Sequence, residues 1–164
     1  MDKRVLVTVG TTRFDALMHA LENIEVLEVL RTAWACETLV VQHGSGCPPQ
    51  RTCIELQGIR LEAFDYTDSL DEQQGRADLI ISHAGAGSVL EALERAKPLV
   101  VVINETLMDN HQWELALALA QRNMLTATTC SGLAQALQEA RGLERQPLPS
   151  PCRGVLAKVL LEER

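Results

Sequence analysis

Short apolar runs alternate with stretches of helical spacing along nearly the whole chain, and this alternation narrows the possible folds more than any other feature. Arg4–Val9, Leu39–Gln42, Arg60–Phe64, Leu79–Ser82, Leu99–Ile103 and Thr126–Thr129 read as short strands. Between them, apolar residues recur at helical spacing over 14–21, 24–33, 88–96, 110–122 and 133–141, with a more polar helix over 70–77. Repeated strand–helix units imply a parallel sheet. The nearly unbroken apolar strands agree, because strands buried on both faces carry no polar side. The expected fold is a single α/β, Rossmann-like domain over residues 1–143, its parallel sheet covered by helices on both faces. The 164 residues fit one such domain. Residues 144–164 differ: Pro147, Pro149 and Pro151 predict a stiff linker. After it, Cys152–Arg164 reads as a helix with Val155, Leu156, Val159 and Leu160 on one stripe, packed on its own domain or docked on a partner.

Composition removes several functional classes. Fifteen basic against 22 acidic residues give a formal charge of −7, which argues against nucleic-acid binding through a basic surface. Two Trp, two Phe and one Tyr leave little for base stacking. The longest apolar run, Leu115–Ala120, falls far short of the roughly 20 residues of a membrane span. The opening Met1-Asp2-Lys3-Arg4 leads directly into a strand, so no leader is expected there. Five cysteines, at 36, 47, 53, 130 and 152, form no C-x-x-C pair, and the histidines at 19, 43, 83 and 111 have no i,i+4 partner. Reduced thiols and no metal site are expected, with His19 a plain surface residue.

In a parallel sheet, ligands sit at the carboxyl ends of the strands, and three polar turns fall at those ends. His83-Ala84-Gly85-Ala86-Gly87-Ser88 follows a strand and opens a helix. Its glycines permit close backbone approach, and the helix N–H groups favour an anion such as a diphosphate, with Ser88 adding a hydroxyl. Leu90 occupies the position of a third glycine, so the dinucleotide fingerprint is not met. Ser88-x-x-Glu91 fits a capping box; alternatively, Glu91 accepts hydrogen bonds from a ribose diol. Asn104–Gln112 follows the strongest strand. Asp109 and Gln112 fit another capping box, which leaves Asn110 and His111 beside Gln112 as a weakly charged cluster suited to sugar hydroxyls. Val9–Asp15 carries Gly10, Thr11 and Thr12. Thr12-x-x-Asp15 again fits a cap, or the turn wraps a phosphate or the reacting sugar. Together the three turns point to a nucleotide-sugar site.

Three segments carry a family resemblance in the same order: Val7–Thr12, Ile81–Ser88 with Glu91, and Lys97–Glu105 continuing into Leu107–Gln112. Over roughly residues 4–125 the chain resembles the soluble catalytic subunits of the UDP-N-acetylglucosamine transferase of asparagine-linked glycosylation, of the glycosyltransferase family 28 C-terminal-domain type. The resemblance implies the donor-binding half of a GT-B enzyme. The Gly85–Ser88 turn, Ala86 included, would hold the diphosphate of UDP-GlcNAc, with His83 near the phosphates or packed below the loop, and Glu91 would hold the ribose. Asn110, His111 and Gln112 would meet the sugar, and Gly10, Thr11 and Thr12 the sugar–phosphate junction.

The implied reaction is inverting β1,4 transfer of the second GlcNAc to GlcNAc-diphosphodolichol, with UDP leaving. No cofactor or metal is implied beyond the donor itself. The general base is unassigned: the partner supplies it, or His83 or Glu105 of this chain does. The implied partner is a membrane-anchored, acceptor-binding subunit, and the implied location is the cytosol, at the cytosolic face of the endoplasmic reticulum. A non-catalytic UDP-sugar-binding regulator and a subunit of a split bacterial-type polysaccharide transferase are the alternatives. A UDP-GlcNAc epimerase of the same fold would need both halves in one chain.

Overall fold

The computed structural model describes residues 2–106 and 110–146, with side chains in the second segment from Glu114 onward. Six strands form one sheet: β1 (Arg4–Thr8), β2 (Thr38–Gln42), β3 (Arg60–Phe64), β4 (Leu79–His83), β5 (Leu99–Ile103) and β6 (Thr126–Thr129). Seven helices connect and follow them: α1 (Asp15–Leu21), α2 (Ile24–Ala33), α3 (Arg51–Glu55), α4 (Asp71–Arg76), α5 (Ala86–Glu94), α6 (Asn110–Gln121) and α7 (Leu133–Gly142). All five strand pairings are parallel, in the order β3-β2-β1-β4-β5-β6. The strand order reverses at β1, so the crevice of such a sheet lies beyond the carboxyl ends of β1 and β4. Among the described residues no helix is long and apolar enough to cross a membrane.

Strand alternation produces two cores. Val5, Val7, Leu39, Val41, Leu79, Ile81, Val100 and Val102 face the layer of α1, α2 and α7. Leu6, Val40, Ile80, Leu99, Val101 and Ile103 face Val89, Ala92 and Leu93 of α5 and Leu115, Ala116 and Leu119 of α6. Each valine or isoleucine therefore packs against helices on its own side, as the apolar runs require. On the first face Trp34 fixes α7 onto α2: its Nε1–H donates to the Leu137 carbonyl at 2.9 Å, and the Arg141 guanidinium lies 5.4 Å from its ring centre.

Most bounds of the sequence-derived elements shift by one or two residues, and larger differences are few. Helix α3, which follows Pro48-Pro49, was not expected; a five-residue helix burying only Ile54 has no periodicity to read. Strand β4 extends to His83, and α5 begins at Ala86 rather than Ser88. The expected linker and helix over 144–164 fall outside the described residues from 147 on.

Gln42 ends β2 as a buried polar residue, 2% exposed. Its Oε1 accepts from Thr8 Oγ1 at 2.7 Å, Gly10 N at 2.9 Å and Val9 N at 3.2 Å. Its Nε2 donates to the Gly10 carbonyl at 2.6 Å and the Asp65 carbonyl at 2.7 Å. One carboxamide thus ties together the ends of β1, β2 and β3. We expect Gln42→Leu to keep the side-chain bulk but strand these partners, costing about 2–4 kcal/mol. Urea denaturation should show a lower midpoint with an unchanged slope; an unchanged midpoint would show that water replaces the amide.

Candidate functional site

The turn after β1 owes its shape to Gly10, whose φ of +65° lies in the left-handed region. Both main-chain polar groups of Gly10 are bonded to the Gln42 side chain. Gly10 therefore supplies shape and not a ligand-facing N–H. Thr12 donates its hydroxyl to the Val9 carbonyl at 2.7 Å. Helix α1 begins after Phe14 with no side-chain cap, so the expected Thr12–Asp15 cap is not formed. Asp15 instead pairs with Arg13 at 2.7 Å. The loop after β2 seats against this turn: a Cβ at Gly44 (φ +65°) would fall 2.0 Å from the Thr12 carbonyl oxygen. Thr11 and Thr12 remain exposed at the rim.

From β4, His83 enters the space between the two glycine turns. A Cβ at Gly85 would lie 2.4 Å from its Cε1, and one at Gly10 would lie 3.1 Å from its Nε2. The same Nε2 is 3.2 Å from Ser88 Oγ. Burial holds this imidazole below its ordinary pKa, so it is neutral at neutral pH.

The cap of α5 is Gly85, without a side-chain hydrogen bond. Ser88 consequently sits within the first turn, engaged by His83, and the capping-box reading of Ser88 and Glu91 does not hold. The first-turn N–H groups have no intrahelical acceptors. Ala86 and Gly87 are exposed, and a Cβ on Gly87 would meet nothing within 4 Å. Glu91 is exposed one turn further along.

Beyond β5, the Asn104 side-chain oxygen accepts from Thr106 N at 3.1 Å and Thr106 Oγ1 at 2.7 Å. Glu105 is exposed there. Burial, with a contribution from the Glu105 charge, pushes the Cys130 thiol up to about 11, so it is no nucleophile at neutral pH. Asn110, His111 and Gln112 begin α6, which follows β5, but their side chains lie outside the described residues, as does the expected Asp109 cap.

The structure therefore brings Gly10, Thr11 and Thr12 to His83, Gly85, Ala86, Gly87 and Ser88 at the ends of β1 and β4. Glu105 stands one strand away. Sequence reasoning missed Gln42, although a polar residue closing the apolar run Leu39–Val41, just before Gly44, was the available clue.

This arrangement has counterparts. The sequence pattern of the glycosyltransferase family 28 C-terminal domain matches residues 4–150. A mouse UDP-N-acetylglucosamine transferase subunit ALG13 is 46% identical over 128 residues, covering 78% of this chain and 11% of its own. The human counterpart is 43% identical over 145 residues, covering 85% of this chain and 13% of its own. The chain thus spans only about a tenth of these two relatives. The Yarrowia lipolytica ALG13 subunit is 39% identical over 163 residues, with 96% of this chain and 83% of that protein covered. Among solved structures, the NMR structure of ALG13 superposes with a TM-score of 0.72 at 24% identity, covering 98% of this chain and 96% of that one. Acinetobacter baumannii MurG gives 0.60 at 18% identity, covering 100% of this chain but 47% of MurG, so the fold is that of half a GT-B enzyme. The chain belongs to the glycosyltransferase family 28 C-terminal-domain family, in the group that contains the ALG13 subunits of UDP-N-acetylglucosamine transferases.

Proposed function

We propose that this chain is the donor-binding, catalytic subunit of a two-component UDP-GlcNAc transferase that adds the second GlcNAc, β1,4-linked, to GlcNAc-diphosphodolichol. The observation that carries this reading is the meeting of two glycine turns around neutral His83, with the first turn of α5 open beside them. That turn offers N–H groups and the Ser88 hydroxyl to a diphosphate. Glu91 offers two oxygens to the ribose diol. Thr11 and Thr12 border the sugar–phosphate junction, and Asn110, His111 and Gln112 are assigned to the sugar by family resemblance.

In the reaction, the acceptor 4-hydroxyl attacks the anomeric carbon from the face opposite UDP. The bond from that carbon to the diphosphate oxygen breaks, UDP leaves with the electron pair, and the hydroxyl proton passes to a base. Negative charge grows on the diphosphate as the bond breaks, so donors fixed at the helix end are worth more in the transition state than in the ground state. His83 suits the role of base poorly, because its Nε2 already faces Ser88. Glu105 is this chain's candidate carboxylate. The acceptor would be presented by a membrane-anchored partner at the cytosolic face of the endoplasmic reticulum, which is consistent with relatives named as subunits.

Transfer from UDP-GlcNAc to a lipid-diphosphate-GlcNAc acceptor should require both this chain and a membrane-anchored acceptor subunit. Transfer by this chain alone would overturn the two-component reading; donor binding without transfer in either case would favour a regulator.

The two glycines of the α5 turn should respond differently to alanine. Gly87→Ala meets no protein atom, so stability should shift by less than about 1 kcal/mol, while UDP-GlcNAc binding weakens at least tenfold. Gly85→Ala drives a methyl into His83 and should lower stability by about 1–3 kcal/mol. Thermal unfolding and donor titration of both variants check this; full donor affinity in Gly87→Ala would remove the diphosphate from this turn.

A further inference from the structure

The contact between His83 and Ser88 allows two hydrogen-bond arrangements with opposite consequences for a ligand. The atoms are 3.2 Å apart, and either can donate. If Ser88 donates to Nε2, its proton is spent inward and its lone pairs point away from the ring. If His83 carries its proton on Nε2 and donates to Ser88 Oγ, the serine proton is free to point outward.

We propose that His83 is a positioning residue acting through Ser88: its Nε2–H donates to the serine oxygen and turns the serine proton toward the open first turn of α5. The inference rests on the donor-binding reading above and deepens it, since it assigns a diphosphate oxygen as acceptor of the Ser88 proton. Three observations support it.

The imidazole edge carrying Cε1 and Nε2 is enclosed by two positions without side chains. A Cβ at Gly85 would come within 2.4 Å of Cε1 and 2.9 Å of Nε2, and one at Gly10 within 3.1 Å of Nε2. The ring therefore has a defined place, and its Nε2 edge is the one that meets Ser88. Secondly, Gly85 and not Ser88 caps α5, so the serine hydroxyl has no capping duty and its orientation is set by the histidine. Thirdly, Gly10 is held by Gln42 through both of its main-chain groups, so the turn that packs against Nε2 is fixed. Elements β1, β4 and α5 thus meet in one unit whose visible output is the direction of a single hydroxyl. An anion at the helix end accepts from that hydroxyl; the reverse arrangement would present it with lone pairs.

The relay ties Gly85 to the imidazole, adds a tight contact at Gly10 to the left-handed φ that favours glycine there, and leaves Gly87, with open space beside it, as the glycine that faces the ligand. His83 need touch neither donor nor acceptor.

The test uses the full chain labelled with nitrogen-15. Long-range proton–nitrogen spectra of the histidine rings should show His83 neutral and protonated on Nε2, in the free protein and with UDP at millimolar concentration. UDP titrations of His83→Leu and Ser88→Ala should each show about a tenfold loss of affinity, equivalent to about 1.4 kcal/mol. The double variant should lose no more than either single one, because the two residues act in series. His83→Gln, which keeps an N–H near the Nε2 position, should recover most of the affinity. A ring protonated on Nδ1 in the UDP complex, or losses that multiply in the double variant, would overturn the relay while leaving donor binding intact. Absence of UDP binding by the unaltered chain would overturn the donor-binding reading, and the relay with it. The ring spectra of the unaltered protein need no variant to fold.

Discussion

The carboxamide of Gln42 spans the point where the parallel sheet is hardest to finish. Where parallel strands end, the last backbone N–H and carbonyl groups lose their ladder partners, and a buried polar group without a partner costs on the order of 1–3 kcal/mol. Here the ends of β1, β2 and β3 meet at one side chain with two donor protons and two lone pairs, and Gln42 uses both kinds. Glycine at position 10 can adopt the left-handed conformation, but nothing in glycine itself selects it. The amide of Gln42 does so by holding the N–H and the carbonyl of Gly10 together. The position of the β1 turn, and hence the wall of the crevice, follows from a residue that faces no ligand.

That wall has a counterpart across the switch point. A backbone that places glycines at the ends of adjacent strands usually invites an explanation in terms of ligand approach. Here a methyl at Gly85 would fall 2.4 Å from Cε1 of the His83 imidazole, a clash, and one at Gly10 would press on Nε2 at 3.1 Å, where the left-handed φ already favours glycine. The distinction separates residues that shape the site from residues that border its contents. It also accounts for a histidine in a turn proposed to take an anion: half-buried and neutral, it offers a hydrogen bond to Ser88 without a charge that would have to be desolvated.

The fold was legible in the sequence for a physical reason. Runs such as Leu99–Ile103 and Leu79–Ile81 can satisfy their side chains only when covered on both faces, so each had to be an inner parallel strand, and the order of elements followed. That the Gly10 and Gly85 turns lie at the carboxyl ends of β1 and β4 was legible too, because glycines followed by helix starts mark such ends. Hydrogen-bond direction was not. Ser88-x-x-Glu91 and Thr12-x-x-Asp15 have cap spacing, yet Ser88 meets His83, and Thr12 donates back to the Val9 carbonyl. Local patterns list the possible partners of a hydroxyl; only the fold decides which partner is present. The partners of Gln42 were hidden for the same reason: a polar residue closing Leu39–Val41 marks the position, but its five bonds reach residues 8–10 and 65, which no local rule links. Helix α3 escaped because a helix of five residues completes barely more than one turn.

A chain of formal charge −7 that binds a dianionic donor, as proposed, poses an electrostatic problem that this geometry answers. At physiological ionic strength, exposed charges farther apart than about 8 Å are largely screened from one another. Most of the chain's carboxylates therefore matter little to a diphosphate held at the α5 terminus. Nearest to it, on this proposal, are the backbone N–H dipoles of the first turn and the Ser88 hydroxyl aimed by His83, with Glu91 one turn further along α5 at the ribose. Dipoles fixed by a folded turn require no rearrangement as charge accumulates on the leaving diphosphate, whereas a mobile surface lysine would have to be ordered first. Such a site favours the departing UDP over the intact donor with little cationic attraction in the ground state. On the two-component proposal, the same economy suits a donor half that has only to hold one molecule in place and accommodate the charge that develops on it.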